Sequence, residues 1–235
     1  MKKKIIFVHQ PKTGGANFAQ ILKNSYGKKN VYRDKDKAKA RLNEYLIAQG
    51  SPVEEAKDIF AERMRYKVIF GHFSPLKYKS RFPDAFYMTF FRDPIQRIIS
   101  HYHYWKRTEI ADMRSVNPLR IRFIEENLSL KEFAVMIKED RIKEKHHELF
   151  QVQHFDFVGI MEEYEKSLKL LKHQYFPELI YFDNIHFNSN PEKKSKESYE
   201  VEDQEFFNEL FKEELVQYHT ALDHFRKAFR SSSLK

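Results

Sequence analysis

The sequence predicts an α/β fold: a mainly parallel central sheet flanked by helices, with two helical insertions. Three observations lead there. Short apolar runs recur along the chain, at 4–9, 67–71, 86–91 and 155–160. Turn or loop signals bound them, as they bound strands buried on both faces. Amphipathic segments of helical spacing follow several of them, and strands alternating with helices argue a parallel sheet. With 235 residues, 41% of them hydrophobic, the chain can bury a core without covalent staples.

The elements follow in order. Residues 4–9 read as a buried strand, and 15–26 as a helix with Phe18, Ile21 and Leu22 on one face. Residues 28–66 are charge-rich and mostly helix-prone, and Ser51-Pro52 with Glu54 and Glu55 behind it reads as a helix start. Lys67 to Gly71 is a second strand and Phe86 to Phe91 a third. Asp93 is a good N-cap and Pro94 suits the first helical position. The helix then runs to about Lys106, with Ile95, Ile98, Ile99 and Tyr102 on its apolar side. Residues 107–150 are polar and helix-prone, with a break near Asn117-Pro118. Phe155 to Ile160 is a fourth strand, Glu162 to Tyr175 a helix, Ile180-Tyr181-Phe182 a candidate fifth strand, and Glu202 to Phe229 a helical tail. Asn188 to Glu197 is loop-like. There is no internal repeat or long linker, so 1–235 reads as a single domain in which 28–66 and 107–150 are insertions.

Composition narrows the function. The chain has no cysteine, which excludes disulfides, thiolate metal ligands and a thiol nucleophile. A net charge of +8 favours anionic partners such as nucleotides, nucleic acid, acidic glycans or membrane surfaces, or simply serves solubility. The apolar run after Lys2-Lys3-Lys4 is too short for a signal peptide, and no stretch approaches a membrane span. The expectation is a soluble, cytoplasmic protein.

The segment Gln10 to Gly15 lies at the carboxyl end of the first strand and the amino end of the first helix. Ligands of open α/β sheets bind at such points. Free N–H groups and the positive end of the helix dipole favour an anion there. Gly14 and Gly15 let the backbone approach oxygen atoms closely, Lys12 adds charge, and Thr13 a hydroxyl. The plainer alternative is an ordinary tight strand-to-helix turn, which the two glycines alone would suit; the full Pro11-Lys12-Thr13-Gly14-Gly15 after an apolar strand argues against it. The lysine precedes the glycines, so the Walker A spacing is absent and nucleotide-triphosphate hydrolysis is disfavoured. A second segment, Arg92-Asp93-Pro94 with Ser100 about two turns on, sets an arginine and a hydroxyl where they could hold another phosphate; a local Arg92–Asp93 ion pair is the plainer alternative.

Together, Pro11-Lys12-Thr13-Gly14-Gly15 and Arg92-Asp93-Pro94 with Ser100 resemble the PAPS-dependent carbohydrate sulfotransferases, in particular the heparan sulfate 2-O-sulfotransferase branch. The stretches at 155–171, 185–194 and 214–225 are similar to that family as well. The resemblance implies a P-loop-like sulfotransferase fold and 3′-phosphoadenosine 5′-phosphosulfate (PAPS) as sulfuryl donor, with no metal. It implies that Pro11 to Asn17 hold the 5′-phosphosulfate and that Arg92 and Ser100 hold the 3′-phosphate. The family's loop continues with hydroxyl residues where this chain has Ala16 and Asn17; the Asn17 amide and backbone N–H groups would take over their contacts. Lys193 and Lys194, in the late basic loop, fall where the family closes over the nucleotide.

Sulfuryl transfer needs an in-line hydroxyl, a base, and positive charge on the departing phosphate. Lys12 is the candidate for the charge. His72, in "VIFGHFSP" at the end of the second strand, is the candidate base, since imidazole titrates near neutrality. The resembling branch has a His-Gly-His here; Phe70 stands for its first histidine and His72 matches its second. His9, leading into the loop, is the alternative base. His101 and His103 lie on different helix faces, and no histidine spacing suggests a metal. The expected acceptor is a carbohydrate or other hydroxylated molecule, anionic if the basic insertions wall the site, with Tyr102, Tyr104 and Trp105 as stacking faces. A bacterial cytoplasmic enzyme is the economical reading, and nucleic acid is not expected as a partner. Two rivals remain: a nucleotide- or nucleic-acid-binding protein without catalysis, and a phosphoryl transferase on a related fold.

Overall fold

The computed structural model describes residues 3–34, 63–107, 118–143, 151–181 and 201–234. Five strands form one parallel sheet: β1 (Ile5–Val8), β2 (Val31–Asp34), β3 (Val68–Gly71), β4 (Phe86–Phe91) and β5 (Phe157–Ile160), in the order β2-β3-β1-β4-β5. The helices are α1 (Gly15–Tyr26), α2 (Leu76–Lys79), α3 (Pro94–Arg107), α4 (Pro118–Glu125), α5 (Leu130–Lys143), α6 (Tyr164–Gln174), α7 (Val201–Leu210) and α8 (Lys212–Ser231).

Both faces of the sheet are covered, which is why its strands read as unbroken apolar runs. Alternate residues divide between the faces. Ile5, Phe7, Phe70, Met88 and Phe90 pack against α1, α6 and α8 through Phe18, Leu22, Leu168, Leu171 and Phe225. Ile6, Val8, Ile69 and Tyr87 pack against Phe73, Tyr78 and Phe82 on the other face. A second apolar cluster joins α3 to the helices beyond it: Ile95, Ile98, Ile99 and Trp105 meet Phe123, Phe133, Phe207 and Phe211. Residues 118–143, in the segment read as the second insertion, are mostly helical, and their apolar side packs on the apolar side of α3.

Two strand expectations change. The fifth strand is Val31–Asp34, in the segment read as helix-prone, and it pairs with β3 at the sheet edge. An edge strand of four residues with a charged Arg33 and Asp34 leaves little apolar signal. Ile180 and Tyr181 are not in a strand, and Phe182 lies outside the described residues. Leu179 is buried, but Ile180 is 48% exposed and its N–H donates to Ser25 Oγ at 2.8 Å, which ties the segment to the end of α1 instead of the sheet. The tail is two helices separated at Phe211, which is fully buried in the second cluster.

Asp34 ends β2 in a buried polar network. Its Oδ2 accepts from Lys77 Nζ at 2.6 Å and from the Tyr78 hydroxyl at 2.7 Å, and Arg63 lies 3.8 Å away. The two residues flanking 35–62 are thus tied to each other and to α2. The helix start expected at Ser51-Pro52 lies outside the described residues. Among the described residues no helix is long and apolar enough to cross a membrane.

Candidate functional site

The chain leaves β1 toward β2 on one side and leaves β4 toward β5 on the other, so the order of connection reverses between these neighbours. Such a reversal opens a crevice at the carboxyl ends of the strands, where ligands bind. The two segments singled out in the sequence start there: Lys12 follows β1 and Arg92 follows β4.

The first loop is held from within. Thr13 is fully buried, and its hydroxyl donates to the Gln10 carbonyl at 2.9 Å, so what Thr13 offers an anion is its backbone N–H. Lys12 has φ 68° and Gly14 φ 72°. The left-handed turn suits a glycine and costs lysine about 1–2 kcal/mol. Peptides alternating in this way form an anion-binding concavity of N–H groups. Gly14 caps α1 without a side chain, and the first turn of α1 carries no acidic residue. Gly14 itself thus gives the N–H groups of that turn no side-chain cap. Space also demands the glycines. A Cβ on Gly14 would meet Met161 Sδ at 2.8 Å, and one on Gly15 would meet His9 Nε2 at 2.0 Å. Ala16 is exposed and Asn17 half-buried at the start of the helix.

The start of α3 is different. Asp93 Oδ1 accepts from the N–H groups of Ile95 and Gln96, both at 2.9 Å. Glu162 Oε1 accepts from the Asp93 N–H at 3.1 Å. These groups are occupied within the protein, as the reading of Asp93 as an N-cap implies, so the start of α3 leaves them unavailable to an anion. What remains there for an anion is the side chains of Arg92 and Ser100, both half-buried. The Arg92–Asp93 ion pair also gives way: Asp93 is spent as the cap, and the acid near Arg92 Nε is Glu162, at 4.0 Å. Arg92 Nη1 donates to the Lys12 carbonyl at 3.2 Å, joining the two segments directly.

Cations gather around the crevice. Burial, then the charges of Arg92 and Arg107, push the Lys12 ammonium down to about 8. The Tyr104 ring works the other way, since Lys12 Nζ lies 4.2 Å from its centre and an aromatic face favours the cation. Burial also lowers Arg92. Of the three aromatic residues read as stacking faces, Trp105 is buried and Tyr102 packs against the second cluster; Tyr104 is 45% exposed and covers Lys12.

Two histidines meet beside the loop, although they come from different strands. The rings of His9 and His72 are 4.5 Å apart, and His72 Nδ1 is 2.8 Å from the His9 carbonyl. A carbonyl only accepts, so His72 Nδ1 carries the proton and Nε2 the lone pair. Burial, followed by the charges of His72, Arg33 and Lys12, pushes His9 down to about 3. Its Nε2 is buried with no hydrogen-bond partner. Lys193 and Lys194 lie outside the described residues. Among the described residues no group of three or more His, Asp or Glu side chains could hold a metal ion.

Glu162, Arg107 and Arg33 escaped the sequence reading. Glu162 lies two residues beyond the end of β5, and the rule that strand ends line the site would have found it. Arg107 and Arg33 carry no such signal.

No curated protein matches the chain. The sequence model of the sulfotransferase family matches residues 1–222. The chain therefore belongs to the sulfotransferase family, whose reaction is sulfuryl transfer.

Proposed function

We propose that the protein transfers a sulfuryl group from PAPS to a hydroxyl of a carbohydrate or glycan-like acceptor, as the heparan sulfate 2-O-sulfotransferase branch does. The observation that carries this reading is the start of α1, which has no side-chain cap, lying beside Lys12 and tied through the Lys12 carbonyl to Arg92. A helix end whose N-cap brings no side chain, together with two cations, suits a nucleotide bearing several negative charges. Pro11 to Asn17 would hold the 5′-phosphosulfate, and Arg92 and Ser100 the 3′-phosphate. The loop at Lys193 and Lys194 is proposed to close over the nucleotide, and the insertions to wall the acceptor.

The donor supplies the sulfuryl group and a phosphate leaving group. The acceptor oxygen forms a bond to sulfur as the bond from sulfur to the phosphate oxygen breaks. His72 takes the hydroxyl proton on Nε2. Lys12 and the N–H groups of α1 stabilise the negative charge left on the phosphate. His72 suits this role better than His9, whose burial makes it too weak a base near neutral pH. His9 instead orients His72 through its carbonyl.

The test is competition among nucleotides with a chelator present. Adenosine 3′,5′-bisphosphate is expected to bind more tightly than ADP or ATP, and without magnesium. Loss of the preference for a 3′-phosphate would defeat the reading. Preference for ATP with magnesium would favour a phosphoryl transferase. Tight, salt-sensitive binding of RNA would favour a nucleic-acid-binding protein.

A further inference from the structure

A line of polar contacts runs from the C-terminal helix α8 to the loop after β1. The Tyr218 hydroxyl, on α8, donates to Glu162 Oε2 at 3.0 Å. The other oxygen, Oε1, accepts from the Asp93 N–H and faces Arg92 Nε at 4.0 Å. That last distance is a charge contact, too long for a hydrogen bond. Arg92 Nη1 then donates to the Lys12 carbonyl. Tyr218 is 6% exposed, and the side chains of Arg92 and Glu162 are 24% and 35% exposed.

A guanidinium is a rigid plane, so fixing two of its edges fixes the directions of its remaining N–H groups. Here Glu162 faces one edge and the Lys12 carbonyl the other. The carboxylate is itself held at both oxygens. Lys12 has a backbone conformation that lysine disfavours, and the bond from Arg92 helps keep it there. Nothing in the chemistry of sulfuryl transfer requires a carboxylate at this place. An acid beside a cation that must receive an anion would weaken binding unless it served to orient the cation.

We infer that Glu162 and Tyr218 are positioning residues: they hold Arg92 so that one guanidinium both supports the Lys12 loop and faces the bound anion. The anion's identity as a 3′-phosphate rests on the function proposed above; the support of the loop does not.

Two readouts separate these dependences, both made on the full chain. The first is amide hydrogen exchange in the free protein. Tyr218→Phe removes one hydroxyl, and Glu162→Gln removes the charge while keeping an acceptor for the Asp93 N–H. Each is expected to speed exchange at Phe18, whose N–H donates to the Gly14 carbonyl at 3.1 Å, by about fivefold, the scale of one lost hydrogen bond, while the amides of β1 keep wild-type protection. Unchanged exchange at Phe18 in both variants overturns the inference, and so does an equal rise throughout β1, which would mark general destabilisation. The second is calorimetry with adenosine 3′,5′-bisphosphate and adenosine 5′-monophosphate. Glu162→Gln is expected to reduce the preference for the bisphosphate by about fivefold. A wild-type protein that binds both nucleotides equally refutes the donor reading, and the exchange result still decides the positioning role. A wild-type protein that prefers the bisphosphate, with both variants preferring it equally, overturns the positioning role.

Discussion

Arg92 Nη1 donates to the carbonyl of Lys12 across 3.2 Å, so the residue that follows β4 holds the loop that follows β1. The crevice between the two strands is thereby bridged before any ligand arrives. Lysine at position 92 would keep a charge but not a plane with several donors. Arg92→Lys is therefore expected to lose at least about tenfold in affinity for adenosine 3′,5′-bisphosphate, close to the loss in Arg92→Ala. Near wild-type affinity in Arg92→Lys, read by calorimetry, would show that only charge matters.

Lys12 sets a pH dependence. Its ammonium is pushed down to about 8, chiefly by burial and then by Arg92 and Arg107. An anion in the crevice favours the charged form and raises that value again. Binding should therefore take up protons near pH 8, and affinity should fall as pH rises above that value, at a limit of about tenfold per unit. Calorimetry in buffers of different ionisation heat measures the uptake. Lys12→Met should bind more weakly and show no such uptake. Tyr104→Leu, which removes a face that favours the cation, should move the midpoint lower.

His72 should divide catalysis from binding. With Nδ1 donating to the His9 carbonyl, Nε2 holds the lone pair that proton transfer requires. His72→Ala is expected to lower turnover by about 100-fold or more and to leave nucleotide affinity within about twofold. Loss of both together would make the residue a structural one.

The sheet was readable because four of its strands are buried on both faces and announce themselves as apolar runs. β2 was not, because an edge strand with Arg33 and Asp34 carries its pairing in backbone groups that sequence does not display. Ile180 misled for the opposite reason, being apolar yet half exposed against the end of α1. The capping box before α5, Ser129 with Glu132, was present in the sequence and went unread. At the site, Lys12 and Arg92 could be placed because strand-end loops have a known location in this architecture. Their direct contact could not, since it depends on β1 and β4 being neighbours, and that follows from sheet order alone. The meeting of His9 with His72 has the same origin: β1 and β3 are adjacent although about sixty residues separate them.

His9 should make the protein acid-sensitive. Its value is about 3 in the fold, with burial the main cause, against about 6.5 for an unperturbed histidine. Between those values the unfolded chain binds the proton and the folded one does not. The stabilising contribution of the neutral ring is thus complete above pH 6.5 and is lost as pH falls toward 3, by about 1.4 kcal/mol per unit at most. His9→Gln cannot titrate, so its stability should decline less steeply over that window in denaturant titrations. Equal slopes would mean that His9 takes up its proton without unfolding.

Gly15 tests the packing of that ring. A Cβ at position 15 would lie 2.0 Å from His9 Nε2, and the three nearest atoms all belong to this imidazole. Gly15→Ala should therefore destabilise by about 1–3 kcal/mol, the usual cost of overpacking. Alanine is otherwise the better helix former by about 1 kcal/mol, and Gly15 is the first residue of α1. If the imidazole is the obstacle, removing it should reverse the sign. In a His9→Ala background the same substitution should be neutral or stabilising. Measuring all four proteins gives the coupling between the two sites, expected above about 1 kcal/mol for residues in such contact. Additive effects would place the obstacle elsewhere, and His9 would then not be locked between the loop after β1 and His72.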